Sequence, residues 1–106
     1  MLRMHRCECW RGNVGLLYTK DGRPMRTGLP NGFPDLFGMK MANGKAFYIE
    51  VKTPTGKIQP DQIAFHHELM HAHAVHGIAR SVEDAIKIVD EELVGFGYPK
   101  EDIWLC

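Results

Sequence analysis

Hydrophobic and polar residues alternate along the first half of the chain, which is the pattern of β-strands. The alternation predicts strands at residues 14–19, 35–41 and 45–52. Between the last two lies Asn43-Gly44, a pair favoured in two-residue hairpin turns. We therefore expect these two strands to pair antiparallel.

The second half of the chain follows the 3.6-residue period of α-helices. Pro60 suits the first position of a helix, and apolar side chains recur at Phe65, Leu69 and Ala72. These three side chains are expected to face the core. Gly77 predicts the end of this helix, because glycine is favoured just beyond a helix C-terminus.

A further strand and a further helix are predicted after the first helix. A short strand is expected at 78–80, and Ser81 is a suitable N-cap for a helix that ends at Gly95. A third, short helix is expected over 99–106. The order β-β-β-α-β-α predicts one mixed α/β domain spanning residues 1–106.

Composition limits the class of protein. The chain has 106 residues and a mass of 12.1 kDa, with 44% hydrophobic and 25% charged residues, the balance of a soluble globular domain. It lacks an apolar run long enough for a membrane span, and no apolar stretch follows its first charged residues. With three cysteines and no disulfide-scaffold density, we expect a reducing, cytoplasmic location in a bacterial or phage-infected cell.

Charge is distributed unevenly although the formal net charge is zero. Residues 1–60 carry ten Lys and Arg against four Asp and Glu, whereas residues 61–106 carry three against nine. This asymmetry favours one basic face and a polyanionic substrate, although two solvated acidic helices would also produce it.

The strand at 45–52 carries the candidate chemistry. Side chains alternate faces, so Tyr48, Glu50 and Lys52 share one face. Alone, Glu-x-Lys is typical of a surface salt bridge, but Asp35 begins the neighbouring strand. Depending on register, the hairpin brings Asp35 and Glu50 together or separates them. Two adjacent carboxylates repel each other, and a divalent cation such as Mg²⁺ relieves that repulsion.

Several stretches match a known nuclease signature. Pro34-Asp35 followed by Glu50-Val51-Lys52 is the PD-(D/E)xK pattern of restriction-endonuclease-like nucleases. Further matching stretches are residues 11–15, 28–36, 49–57 and 79–85, together with Gln62. Because these stretches occur in this order, the chain resembles a stand-alone virus-type replication-repair nuclease (VRR-NUC) domain. The resemblance covers about residues 10–90.

The resemblance implies a role for each matching position. Asp35, Glu50 and the backbone carbonyl of Val51 would bind Mg²⁺ or Mn²⁺. Lys52 would orient the attacking water and stabilise the charge of the transition state, and Gln62 would support the site from the helix. The implied activity is metal-dependent endonucleolytic hydrolysis of DNA phosphodiester bonds.

The resemblance also implies a fold and partners. The expected fold is a central mixed sheet flanked by helices, and the expected assembly is a homodimer that acts on branched DNA, as Holliday-junction resolvases do. Duplex DNA is the other expected partner. Four basic side chains are candidates for holding backbone phosphates: Arg11, Arg23, Arg26 and Lys57.

One feature departs from the family pattern. The family usually has an N-terminal helix bearing a metal-binding Glu, yet the ten residues before Arg11 show no helical pattern, and Glu8 is the carboxylate among them. We expect this helix to be shortened or absent. A DNA-binding module without turnover is therefore a further alternative.

A competing motif is present on the first predicted helix. His67, Glu68 and His71 form H-E-x-x-H, the signature of zinc hydrolases, and Glu91 could be proposed as a third ligand. Helical periodicity places His67 and His71 opposite the apolar residues, facing solvent. This placement favours chance identity over a zinc site.

Overall fold

The computed structural model describes residues 7–12, 16–26 and 28–100, with the backbone alone at 16–18, 25 and 26. Within these residues the elements are β1 (Cys7–Arg11), β2 (Leu16–Tyr18), β3 (Pro24–Arg26), β4 (Leu36–Lys40), β5 (Ala46–Val51), α1 (Pro60–His71), β6 (Val75–Ala79), α2 (Val82–Asp90) and β7 (Val94–Phe96). Neither helix has the length and apolar content needed to cross a membrane.

Five strands form one mixed sheet in the order β1-β4-β5-β6-β7. The pairs β1–β4 and β4–β5 are antiparallel, whereas β5–β6 and β6–β7 are parallel. Strands β2 and β3 form a separate two-stranded sheet. The mixed sheet with flanking helices confirms the predicted fold class.

Helix α2 and the sheet enclose the main hydrophobic core. Phe47 and Ile49 of β5 are fully buried, and they belong to one cluster with Cys7, Ile88 and Val89. Burying such side chains contributes about 1.5–3 kcal/mol each. The core therefore lies on the odd-numbered face of β5.

Helix α1 covers the opposite face of the sheet. Its buried residues are His66, Leu69 and Met70. The prediction that Phe65, Leu69 and Ala72 face the core is therefore correct for Leu69 and wrong for Ala72, which is exposed at the C-cap. The buried side of the helix is rotated because a histidine, which periodicity counts as polar, is packed inside.

Two glycines allow the loop before β4 to dock closely. A Cβ on Gly32, whose φ is 83°, would overlap the carbonyl of Asp61 in the first turn of α1. A Cβ on Gly12 would lie 2.5 Å from the carbonyl oxygen of Pro34. The Gly12 N–H donates to the carbonyl of Asp35 at 2.7 Å, so the loop is held between β1 and α1.

Helix α1 begins at Pro60, as predicted, but ends at His71 rather than near Gly77. His73, with φ of 55°, takes the left-handed position that terminates the helix. Gly77 instead lies inside β6, where an added Cβ would be 2.8 Å from Cδ1 of Ile88. Its lack of a side chain makes room for α2.

Helix α2 begins after Ser81, whose hydroxyl accepts from the Asp84 N–H at 3.1 Å, as predicted. It ends at Asp90 rather than at Gly95 because Glu92 adopts a φ of 53°. Lys40 and Lys45 each donate to the Glu92 carboxylate, at 2.8 and 2.7 Å. The two lysines hold Glu92 in the left-handed conformation, which a non-glycine residue rarely adopts.

Strands β1, β3 and β7 were not predicted from the sequence, whereas β2 lies within the strand predicted at 14–19. Strands β3 and β7 have three residues each, which is too short for a clear alternation. Strands β4, β5 and β6 lie where strands were predicted, within a few residues at their ends. The helix predicted over 99–106 is absent at residues 99 and 100, and its remainder lies outside the described residues.

Candidate functional site

Two carboxylates from neighbouring strands lie side by side. The register pairs Leu36 with Ile49, which places Asp35 opposite Glu50 on the same face of the sheet. Oδ2 of Asp35 accepts a hydrogen bond from the Val51 N–H at 2.9 Å. The strand register, which the sequence left open, therefore brings the two carboxylates together.

Glu50 is buried, with 2% of its surface exposed. Its Oε2 accepts a hydrogen bond from Nε2 of Gln62 at 3.1 Å, whereas its Oε1 is buried without a partner. Burial, followed by the adjacent carboxyl group of Asp35 and its charge, raises the pKa of Glu50 to about 8. The Lys52 ammonium opposes this shift. Without a cation, this carboxyl group holds its proton near neutral pH.

The orientation of Gln62 is fixed by the start of α1. Its Oε1 accepts from the Gln59 backbone N–H at 2.9 Å, so its Nε2 faces Glu50. Gln62 lies one residue after Asp61, whose carbonyl packs against Gly32. The glycine-containing loop and the helix start therefore position Asp35 and Gln62 together around Glu50.

Lys52 follows directly after β5 and is half-buried. Its backbone N–H donates to the carbonyl of Ala79 at 3.0 Å. Beyond it, Nη1 of Arg80 donates to the carbonyls of Thr53 and Gly56, at 2.7 and 2.9 Å. Arg80 thereby holds the turn that follows Lys52. Arg80 lies in the matching stretch at 79–85, but the sequence predicted no role for it.

The donor set fits a hard divalent cation. Mg²⁺ is typically held by one or two carboxylates and completes its shell with water and substrate phosphate oxygens. Asp35 and Glu50 supply the two carboxylates, and the unpartnered Oε1 of Glu50 is a buried acceptor that a cation would satisfy. The described residues contain no group of three or more His, Cys, Asp or Glu side chains able to hold a metal ion.

The H-E-x-x-H motif lacks a third protein ligand among the residues that the structure covers. Glu68 and His71 are exposed, and His67 is half-buried rather than fully turned to solvent. Glu91 is exposed at the C-cap of α2. The arrangement does not form the closed ligand set of a zinc site.

The predicted phosphate-binding residues lie in separate places. Arg11 is exposed at the end of β1, next to the segment that pairs with Asp35, and Lys57 is exposed in the loop between Lys52 and α1. Arg23 lies on the separate two-stranded sheet and pairs with exposed Asp21 (Nε to Oδ2, 3.2 Å). For Arg26 the structure describes the backbone in β3 and not the side chain.

A buried imidazole pair backs the site on the α1 side. His76 Nδ1 lies 2.7 Å from the carbonyl of Ala74, and His76 Nε2 lies 2.8 Å from His66 Nδ1. The carbonyl is an acceptor only, so His76 Nδ1 donates to it, and in the neutral pair Nε2 accepts from His66. The Tyr98 ring stacks on His66, with centroids 3.9 Å apart.

This pair is held neutral. Burial lowers the pKa of His66 to about 4, and it lowers the pKa of His76 as well. Burial, together with the charges of Glu50 and Asp35, raises the pKa of the Tyr98 phenol. The pair and Tyr98 therefore form a buried, uncharged backing close to the carboxylates. No sequence pattern indicated it.

Comparison with protein-family models gives one assignment: the model of the VRR-NUC domain matches residues 8–83. The matched stretch contains Asp35, Glu50, Lys52 and Gln62, whereas Tyr98 lies beyond it. Comparisons with curated proteins and with solved structures gave no match.

Proposed function

Since the chain belongs to the VRR-NUC family of nucleases, and DNA is its implied partner, we propose that it is a divalent-metal-dependent DNA endonuclease. One observation carries the proposal. Glu50 is buried with an unpartnered oxygen beside the carboxylate of Asp35, an arrangement that is costly unless a cation occupies it.

Asp35, Glu50 and the backbone carbonyl of Val51 hold Mg²⁺ or Mn²⁺ in this proposal. The bound cation supplies a water of lowered pKa and neutralises charge on the phosphate. The Val51 N–H fixes one oxygen of Asp35, and the Gln62 amide fixes one oxygen of Glu50. The second oxygen of each carboxylate then remains for the cation.

Lys52 acts next to the reacting phosphate. Its ammonium orients the attacking water and stabilises the negative charge that develops on the phosphate oxygens. Arg80 keeps the following turn in place and so limits the movement of Lys52. The catalytic residues proposed are Asp35, Glu50 and Lys52, with Gln62 as a positioning residue.

Arg11, Arg23, Arg26 and Lys57 are proposed to hold backbone phosphates. Contacts to phosphates do not depend on the DNA base sequence, so the protein would recognise the shape of the DNA rather than its base sequence. A branched substrate, a homodimer and a cytoplasmic location are further parts of the proposal. They rest on the resemblance to stand-alone resolvase-like members and on composition.

A cleavage assay on four-way junction, flap and linear duplex DNA tests the proposal. We expect products with Mg²⁺ or Mn²⁺, none with chelator, and loss of cleavage in Asp35→Asn, Glu50→Gln and Lys52→Ala. Exposed residues of the same type give matched controls, Asp90→Asn, Glu83→Gln and Lys20→Ala, which should cleave normally. Sedimentation velocity measures the oligomeric state.

Three results would contradict the proposal. Full activity in all three site variants would exclude these residues. DNA affinity without turnover in any metal would favour the binding-module alternative. Stoichiometric zinc that is lost in His67→Ala, with no DNA cleavage, would favour the zinc hydrolase.

A further inference from the structure

Aromatic side chains form a continuous row on the face of the sheet that carries the two carboxylates. The Phe33 ring lies edge-on to Phe37, Tyr48 and Phe65, with centroids 5.3–6.1 Å apart. Trp10 extends the row, with its centroid 5.9 Å from Phe37. Four of these rings are half-buried, whereas Trp10 is 48% exposed.

The exposed indole lies close to the carboxylates. The register pairs Trp10 with Phe37, and Gly12 with the backbone of Asp35. Side chains two residues apart on a strand share a face, so Trp10, Phe37 and Asp35 point the same way. From strand spacings, the backbones of Trp10 and Asp35 are roughly 8 Å apart. A DNA strand cut at Asp35 would place a nearby nucleotide at Trp10.

We propose that Trp10 is a stacking platform for an unpaired DNA base next to the scissile phosphate. This inference rests on the proposed nuclease function and specifies its substrate class: DNA with at least one unstacked nucleotide at the cut, as at a flap or a junction. Phe37 and Phe33 brace the indole from the protein side. Arg11, the next residue along β1, points to the opposite face of the sheet, so Lys52 beside Glu50 supplies the basic group on the face of the platform.

An unpaired base fits this surface better than a paired one. Inside a duplex both faces of each base are stacked on its neighbours, so a flat aromatic platform finds a free ring face only at the duplex ends. A single-stranded nucleotide offers a free ring face, and aromatic side chains next to basic residues are the usual means of binding it. A large exposed indole beside a phosphate-cleaving site has that composition.

Fluorescence tests binding without requiring cleavage. The chain has two tryptophans, so Trp104→Phe leaves Trp10 as the sole emitter, and Trp10→Tyr leaves Trp104. Without divalent metal, we expect single-stranded oligothymidine to quench Trp10 emission saturably and an equal length of blunt duplex to quench it far less. The variant that retains Trp104 alone should show no such difference between the two DNAs.

Cleavage of substrates with single abasic sites tests the position of the platform. An abasic nucleotide keeps the phosphate and removes the base, so it is placed in turn at each position around the cut of a flap substrate. One position should raise the wild-type KM about ten-fold, as loss of a stacked base would. Trp10→Leu should show the same rise on the intact substrate and no further rise at that position, and Trp10→Tyr should restore most of the affinity.

The outcomes separate this inference from the proposed function. Normal cleavage by Trp10→Leu, with an abasic scan equal to that of the wild type, overturns the platform while leaving the nuclease. Selective quenching by single-stranded DNA without cleavage supports the platform while overturning the nuclease. If Trp10 is shielded from acrylamide without DNA, another segment or a second copy covers it, and the platform is overturned. Met41→Ala, an exposed apolar residue just after β4, controls for nonspecific effects.

Discussion

On one face of β5, Phe47 and Ile49 are fully buried against α2, and on the other face Glu50 is buried almost as completely beneath α1. Burial has opposite energetic signs on the two faces. It stabilises the apolar side chains, whereas it penalises the charged carboxylate. The free energy gained by burying the apolar face therefore offsets the free energy that burying Glu50 costs.

The polar face is maintained by directed contacts rather than by general apolar packing. Gln62 satisfies one oxygen of Glu50, and His66 and His76 satisfy each other. Such groups must be paired when buried, because an unpaired one loses its hydration without replacement. Among the described residues two buried polar atoms lack a partner, Nε2 of His67 and Oε1 of Glu50, and the latter lies where the proposed cation binds.

The sharpest test of this contrast is Glu50→Gln, which should inactivate and stabilise the protein together. We expect cleavage to fall on the order of 10³-fold or more, because a ligand of the proposed cation is lost. The ordinary pKa of Glu is 4.5, and that of Glu50 is about 8. Between these values the unfolded chain releases the proton and the folded metal-free protein keeps it, so stability falls as pH rises.

Glutamine does not titrate, so the free energy of unfolding of the metal-free variant should exceed that of wild type by a few kcal/mol above pH 8. Urea denaturation at pH 5 and pH 8.5 measures this difference, with exposed Glu83→Gln as the control. A variant less stable than wild type at pH 8.5 would contradict the assigned cost of Glu50.

On the apolar face, Phe47→Ala should lower the free energy of unfolding by about 3–5 kcal/mol, because it leaves a cavity in the core. Val51→Ala on the same strand and face is the control, since Val51 is 50% exposed and should change stability little. Equilibrium urea denaturation of both variants gives the comparison. If both variants lost the same free energy of unfolding, burial of side chains on this face would not determine stability.

The junction between loop and helix can be tested with two glycines of similar φ. Gly32→Ala should cost about 2–3 kcal/mol more than Gly22→Ala, because the new methyl would overlap Asp61. Gly22 has a φ of 85° and open space around it, so its substitution reports backbone strain alone. The affinity for divalent metal, measured by titration, should also be lower in Gly32→Ala. An unchanged affinity would mean that the loop does not position the metal site.

The smallest expected effect concerns the imidazole pair. The pKa of His66 is lowered to about 4 from its ordinary 6.5, so the unfolded chain takes up a proton first as pH falls through this window. Stability from this group is present above pH 6.5 and is lost towards pH 4. The Glu50→Gln variant lacks the opposite pH dependence that Glu50 contributes. In that background, adding His66→Asn should reduce the change in the free energy of unfolding between pH 7 and pH 4 by about 1–2 kcal/mol. Thermal denaturation from pH 4 to pH 7 measures it, and an unchanged slope would assign the acid sensitivity elsewhere.

Local chemistry predicted much of the fold. Asn43-Gly44, Pro60 and Ser81 mark a hairpin turn and two helix starts, because turn and capping preferences depend on neighbouring residues. The predicted ends of the helices were wrong because His73 and Glu92 adopt left-handed conformations, and tertiary contacts support that of Glu92. For Glu92 those contacts include Lys40 and Lys45, more than forty residues away.

The sequence alone determined the residue types of the candidate site and the two strands that Asp35, Glu50 and Lys52 lie on or directly adjoin. Tertiary structure decided that Asp35 lies opposite Glu50, that α1 buries Glu50 beside Gln62, and that Tyr98 stacks on His66. Strand register, burial and stacking depend on residues far apart in the chain. A periodic pattern states which side chains share a face, but not what covers that face or what charge it must accommodate.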